Sequence, residues 1–147
     1  MTELEEIRVV PRDLEEVFDY VADFSTTAEY DPGVAHARRL DPVGHGARFV
    51  VDAVFLGRTL TMTYTCSGFD RPHRLEFRGD SPGSRALDSI RFERTEGGTR
   101  IHWKLQLELK GASRWFEPLL GPALRRLGTK ALDGLSQRLR EGPARAT

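Results

Sequence analysis

The chain contains a single cysteine, only two tryptophans and no long apolar run. Cys66 therefore has no partner for an intramolecular disulfide, and no Cys and His residues have the spacing of a zinc site. No apolar stretch approaches the roughly 20 residues that a membrane-spanning helix needs. The start of the chain is acidic, whereas a secretory signal is basic and then apolar. From these absences we expect a cytoplasmic protein that binds no metal and no other cofactor.

Acidic and basic side chains are equal in number but unequally distributed. Residues 1–31 carry ten acids and two arginines, and residues 111–147 carry seven basic and three acidic side chains. Two solvated faces of opposite charge would produce this pattern. The alternative is a basic terminal helix that contacts an anionic membrane peripherally. Because the basic residues are dispersed and lack interleaved aromatic residues, we expect no nucleic-acid partner.

The length of 147 residues predicts one domain with a core of its own. We expect a monomer or a homodimer, because no feature of the sequence decides between them. We place this domain at residues 1–141. The remainder, 142–147, has the sequence Gly-Pro-Ala-Arg-Ala-Thr, and we predict that it is a disordered tail.

A long strand is predicted near the end of the chain, where apolar and polar residues alternate from Arg100 to Leu109. Shorter runs with apolar alternation, separated by Gly, Pro and Asp, predict further strands. These runs are Leu4–Val10, Val34–Leu40, Arg48–Phe55, Thr59–Phe69, Arg74–Arg78 and Leu87–Glu93. Most connections have hairpin length, so we expect an antiparallel meander.

Helical periodicity occurs on both sides of this series of strands. The apolar spacing within Leu14–Ala22 predicts an amphipathic helix, and Thr26–Tyr30 predicts a short second one. A long apolar stripe follows the last strand, but proline inside a helix is costly. We therefore expect the continuous helix to begin near Pro122, after an irregular segment at Ser113–Leu120. This segment is either a movable lid or a simple connection to the sheet.

Several motifs resemble the START/Bet v 1-like (SRPBCC) superfamily, and more narrowly its bacterial polyketide cyclase/dehydrase and lipid-transport group. They are Val10–Asp13, Val17–Asp23, Tyr30–Val34, Ala37–Leu40, Val43–Gly46 and Gly97–Arg100. The resemblance implies an α+β helix-grip fold. About seven antiparallel strands would curve around a long C-terminal helix, with two short helices after the first strand. Many relatives have Trp in place of Tyr30.

The resemblance also implies a cavity between sheet and helix, where family members hold lipids, polyketides, hormones or quinones. Some relatives catalyse aromatisation, cyclisation or dehydration, and the fold alone does not choose among these roles. Our leading hypothesis is binding of an apolar or aromatic small molecule. The alternatives are a polyketide cyclase or dehydratase that uses Asp88 with His36 or Tyr64, and a lipid or quinone chaperone that docks on a partner or membrane.

The apolar phase of the strands and the terminal stripe define the candidate ligand contacts. They are Tyr30, Arg38, Phe49, Val51, Met62, Tyr64, Phe77, Asp88, Ile90, Trp103, Phe116, Leu120 and Leu124. A plain core explains any single aliphatic member equally well. The polar and aromatic members, above all Tyr64, Asp88 and Trp103, favour a pocket, because pockets combine apolar walls with a few placed polar groups.

Asp88 is the most informative candidate because it shares the apolar phase of its strand with Ile90. A carboxylate on such a face must be paired, hydrogen-bonded or protonated. A raised pKa would suit a general acid or base. The alternative is an exposed position at the start of the strand, with Arg85, Arg38 or Arg78 as its partner.

His36 and Arg38 share a phase with Val34 and Leu40. If this phase faces inward, the pair lines the mouth of the cavity and can transfer protons or bind an anionic group. If the opposite phase faces inward, Ala35 and Ala37 pack against a helix instead. No Ser/His/Asp arrangement, phosphate loop or dinucleotide fingerprint occurs in the chain.

Overall fold

The computed structural model describes residues 1–55 and 57–141, without the side chains of 112, 113 and 116. Within these residues, seven strands form one antiparallel sheet in the order β1-β7-β6-β5-β4-β3-β2. The strands are β1 (Thr2–Val10), β2 (Val34–Arg39), β3 (Arg48–Phe55), β4 (Arg58–Asp70), β5 (Arg74–Ser81), β6 (Ser84–Thr95) and β7 (Gly98–Leu109). The helices are α1 (Leu14–Ala22), α2 (Thr27–Tyr30) and α3 (Glu117–Glu141). Short 3₁₀ turns lie at Phe24–Thr26 and Gly111–Phe116. The predicted helix-grip fold is confirmed.

The inward phase of β3 to β7 agrees with the alternation in the sequence. Val51, Met62, Phe77, Ile90 and Trp103, from five different strands, are all buried. Because successive side chains of a strand point to opposite faces, these residues lie on one side of the sheet. That side is the concave face, which α3 covers.

Helix α1 fills one end of the concave face. Its apolar stripe is buried, and Phe18 packs edge-to-face against Phe69 and Phe92, with ring centroids 5.3 Å apart in both pairs. Such pairs add to the stabilisation that burial provides. This end of the sheet is therefore a packed core.

Phe24, in the turn after α1, fills the space next to α1. Its ring stacks on Phe77 with centroids 4.3 Å apart and lies 4.9 Å from the ring of Tyr64. Phe49 and Trp103 lie at 6.2 and 6.4 Å from Phe24. This aromatic cluster marks the boundary of the packed core. The open space between the sheet and α3 begins on the other side of Phe24.

Helix α3 begins earlier than predicted. It starts at Glu117, so the expectation of a start near Pro122 was wrong, and Pro122 lies inside the helix. The Glu117 carboxylate accepts hydrogen bonds from the Leu109 N–H at 3.0 Å and the Met1 ammonium at 2.6 Å. These hydrogen bonds to residues distant in the sequence hold the first turn of α3 in place. The positions of the prolines, on which the prediction was based, give no information about them.

The described part of the chain ends with α3 at Glu141. The predicted tail, 142–147, lies outside the described residues. Within the described ranges, none of the helices is both long enough and apolar enough to traverse a bilayer.

Two glycines allow α3 to approach its neighbours closely. A Cβ at Gly134 would lie 2.1 Å from the carbonyl oxygen of Tyr30, and one at Gly128 would lie 2.0 Å from Cδ2 of Leu4. The first contact is with backbone, which cannot move aside as a side chain can. Gly134 therefore fixes α3 against the end of α2.

We expect Gly134→Ala to destabilise the protein by about 1–3 kcal/mol, because α3 must shift away from Tyr30. Gly121→Ala is the matched control in the same helix, since a Cβ there meets only Arg125 atoms at 3.8 Å. It should be neutral or stabilise by up to about 1 kcal/mol through helix propensity. Urea denaturation of both variants measures the difference; equal effects would contradict the close approach.

Candidate functional site

An apolar cavity of about 180 Å³ lies between the sheet and α3. The sheet contributes Val51, Met62 and Leu105, and α3 contributes Leu124 and Leu127. A dry cavity of about 150 Å³ between apolar side chains is large enough to bind benzene. The cavity therefore accommodates a small ring system, and a larger ligand would need its leucine walls to move.

Asp88 is buried in the wall of this cavity, with 6% of its surface exposed. Its Oδ2 accepts a hydrogen bond from Nε1 of Trp103 at 2.7 Å. Its Oδ1 is buried and has no partner among the described residues. Burial raises the pKa of Asp88 to about 7, although the Trp103 hydrogen bond lowers it. Of the alternatives predicted for Asp88, the structure selects a hydrogen bond rather than an arginine partner.

Tyr64 of β4 lines the cavity and lies across the neighbouring strand. A Cβ at Gly79 would lie 2.5 Å from its ring, so the ring rests on bare backbone of β5. Gly79 pairs with Ala86 of β6, the strand that also holds Asp88. Burial raises the pKa of Tyr64 well above its ordinary value, and the charge of Asp88 raises it further. Gly79 thus allows Tyr64 to extend from β4 toward the strand of Asp88.

Tyr30 and Asp31 enter the cavity from the end of α2. The Tyr30 hydroxyl is buried and has no partner among the described residues. The pKa of this hydroxyl is raised, mainly by burial and then by the charges of Asp31 and others, including Asp88. Asp31 accepts a hydrogen bond from the Gly33 N–H at 2.8 Å, and burial raises the pKa of its carboxyl to about 6.

The charged groups in the cavity wall all carry the same sign. They are Glu6, Asp31 and Asp88, and none of the described lining residues is Lys, Arg or His. Glu6 is already paired with Arg8 at 2.7 Å. No cluster of three or more potential metal ligands occurs among residues 1–55 and 57–141.

Two predicted site residues lie outside the cavity. His36 and Arg38 are exposed, whereas Val34 and Ala37 pack against the core. The pairing of β2 with β3 shifts register between Val34 and His36. This irregularity reverses the side-chain phase, so of the two alternatives for this strand the one that places His36 and Arg38 at the cavity mouth does not hold.

Four further candidates are buried without lining the cavity. Phe24 covers Phe49 and Phe77, and Ile90 belongs to the same packed core. Leu120 is buried one turn before Leu124 at the beginning of α3, also outside the cavity wall. The structure therefore places these four residues in the core, although the sequence predicted ligand contacts for them. The side chain of Phe116 lies outside the described residues.

Seven candidates do line the cavity: Tyr30, Val51, Met62, Tyr64, Asp88, Trp103 and Leu124. Several lining residues were missed. Leu107 and Leu109 continue the inward phase of Trp103 along β7 and could have been found from it. Asp31 precedes Pro32 and Gly33, a sequence typical of a turn, and Phe24 lies in a segment without clear periodicity. A sequence pattern gives no signal for these two.

Comparisons with known proteins agree with this architecture. A family model described as polyketide cyclase/dehydrase and lipid transport matches residues 1–140. The crystal structure of TTHA0849 from Thermus thermophilus is similar with a TM-score of 0.80 and 20% identity, covering 93% of this chain and 96% of that one. The Zhui aromatase/cyclase from a Streptomyces species is similar with a TM-score of 0.77 and 15% identity, covering 95% and 96%.

The di-domain aromatase/cyclase BexL from the BE-7585A biosynthetic pathway is similar over 96% of this chain and 50% of its own. Its TM-score is 0.74 and its sequence identity 15%. A search among curated proteins gave no match to this chain.

Proposed function

We propose that this chain, which belongs to the polyketide cyclase/dehydrase and lipid transport family of the SRPBCC superfamily, binds an apolar or aromatic small molecule between its sheet and α3. The observation that carries this proposal is the apolar cavity of about 180 Å³, whose wall contains the unpartnered Oδ1 of Asp88. A packed core excludes such space and pairs its polar atoms, because voids and unpaired buried groups both cost stability. A ligand removes both costs.

The size of the cavity sets the expected affinity. An aromatic ring system that buries ~200 Å² of apolar surface gains about 5 kcal/mol from burial at about 25 cal/mol per Å². Because association also costs translational and rotational freedom, burial alone gives a Kd no tighter than about 0.1 mM. Hydrogen bonds to the unpartnered polar groups would tighten binding beyond this value.

Filling the cavity provides the test. Ala131 of α3 is buried and lines the cavity, so a phenyl ring in Ala131→Phe occupies the space of the ligand. We expect naphthalene to bind the native chain and to bind Ala131→Phe at least about tenfold more weakly. Ala28→Phe, which changes an exposed alanine, is the control. Ligand-observed NMR measures both affinities, and circular dichroism verifies the folds. Unchanged binding by Ala131→Phe would place the ligand elsewhere.

A second candidate function is proton transfer to or from the bound molecule. It is supported by the pKa of Asp88, which at about 7 lets this buried group give or take a proton near neutral pH. Tyr64, in the same wall, is the partner that the geometry favours, since His36 is exposed. The test reaction is loss of water from 4-hydroxy-4-phenylbutan-2-one, which forms the conjugated enone. Turnover by the native chain that Asp88→Asn loses would support an enzyme; absence of turnover would favour a carrier.

A further inference from the structure

Three polar groups of the cavity lack a good partner in the described part of the chain. Asp88 Oδ1 and the Tyr30 hydroxyl are buried and unpaired. The Tyr64 hydroxyl contacts only the sulfur of Met62, at 3.8 Å, and a thioether is a weak acceptor. Unpaired buried groups are rare because each costs free energy. Their presence around one cavity indicates that a ligand supplies the missing bonds.

The three groups lie in the wall of one cavity, where a single ligand can contact them. All line the same cavity, and the ring of Tyr64 extends across Gly79 toward the strand of Asp88. Burial is the largest cause of the raised pKa of Tyr30 and of Tyr64, and the negative charge of Asp88 contributes to both. The tyrosine hydroxyls can donate, and an ionised Asp88 can only accept.

A hydroxyl group satisfies this arrangement better than other polar groups. It can donate its proton to Asp88 Oδ1 and accept a hydrogen bond from Tyr30 or Tyr64 through the same oxygen. An ether or ketone oxygen can only accept, so it leaves an ionised Asp88 unpaired. An ammonium group is attracted by an ionised Asp88, but it can only donate and leaves the tyrosine hydroxyls without an acceptor, and the cost of removing two charges from water can exceed the gain from pairing them.

The wall also disfavours anionic ligands. Its described charged residues are all acidic, and none of its described residues is Lys, Arg or His. A bound carboxylate would add a negative charge beside Asp31 and Asp88, where the low dielectric makes repulsion strong. A fatty acid held by its head group is therefore a poor match for this end of the cavity.

We infer that the cavity selects a neutral, ring-containing ligand with a hydroxyl group that bonds to Asp88 Oδ1 and to a tyrosine hydroxyl, and that it excludes carboxylates. This inference rests on the proposed binding function and assigns its ligand class. Asp88 acts as the acceptor, held by Trp103, while Tyr30 and Tyr64 are the donors.

A set of naphthalenes that share one ring system tests the selection. Calorimetry at pH 8 compares the binding of 2-naphthol, 2-methoxynaphthalene, 2-naphthoate and 2-(aminomethyl)naphthalene. The binding of naphthalene itself is measured by ligand-observed NMR. The native chain should bind 2-naphthol at least about tenfold more tightly than 2-methoxynaphthalene, because only the former donates to a charged acceptor. The carboxylate should not bind measurably, and the amine should bind more weakly than 2-naphthol.

Asp88→Asn separates hydrogen bonding from steric effects, because the amide has the same shape and can donate to either oxygen. In this variant 2-naphthol and 2-methoxynaphthalene should bind within about threefold of each other. Its unchanged naphthalene affinity would show that the cavity is intact. Asp13→Asn, at an exposed site, should keep the native preference.

The outcomes distinguish this inference from the proposed function. Equal binding of the alcohol and the ether by the native chain would overturn the inference and leave the proposed function intact. Tighter binding of the carboxylate or the amine than of 2-naphthol would also overturn it, as would an alcohol preference that persists in Asp88→Asn. If naphthalene and all four derivatives fail to bind, the proposed function itself is contradicted.

Discussion

When the pH is raised from 5 to 8, the stability of Asp88→Asn relative to that of the native chain should increase by about 2–3 kcal/mol. The carboxyl of Asp88 has a pKa of about 7 in the folded protein, against an ordinary value of 3.8. The folded state therefore holds this proton more tightly than the unfolded state does. Native stability falls as the pH rises from about 4 to 7, and the loss is complete above pH 7. Asparagine does not ionise and avoids this loss.

Urea denaturation of both proteins at pH 5 and pH 8 measures this effect. Groups present in both proteins, including Asp31 with its own raised pKa, largely cancel in the comparison. Asp13→Asn is the control, because it removes an exposed carboxylate and keeps a good N-cap residue for α1. If the stability difference between Asp88→Asn and the native chain is the same at both pH values, Asp88 is not buried as the structure describes.

Phe77→Ala should destabilise the protein by about 3–5 kcal/mol. Phe77 is fully buried, stacks on Phe24 and packs edge-to-face against Phe49 with centroids 5.9 Å apart. Its removal leaves a void in the aromatic cluster that separates the core from the cavity. The loss is a large fraction of the stability of a typical domain, about 5–15 kcal/mol.

Phe55→Ala provides a matched comparison, since Phe55 is only partly buried and lines the cavity. Its cost should be clearly smaller, and its main effect should be on ligand affinity. Urea denaturation and naphthalene binding are measured for both variants. A cost below about 1 kcal/mol for Phe77→Ala would mean that Phe77 lines open space, as the sequence pattern alone suggested.

Regular alternation was sufficient to predict the strands and the inward faces of β3 to β7, but not the inward face of β2. The alternating run that ends at Leu109 predicted β7. The position of Asp88 among the apolar residues of β6 was sufficient to identify it as a candidate site residue. These features depend only on neighbours in the chain, because a strand has a period of two. The motifs shared with the family supplied the overall architecture.

Features that depend on distant contacts could not be predicted. Phe24 lies in a short turn, yet its ring decides that Phe77 is core and not cavity wall. One register shift in β2 moves His36 to the exposed side. The start of α3 depends on bonds from Glu117 to Leu109 and Met1, which lie on other elements. None of these leaves a periodic signal in the sequence.

The most direct test of the cavity as the ligand site uses the two tryptophans. The Trp103 indole N–H lies at the cavity wall and donates to Asp88, whereas Trp115 is 79% exposed. Two-dimensional ¹H–¹⁵N NMR resolves the two indole signals, and Trp115→Phe assigns them. During titration with 2-naphthol, the Trp103 signal should shift progressively while the Trp115 signal stays in place. A bound ligand that shifts only the Trp115 signal, or neither signal, would contradict binding beside Asp88.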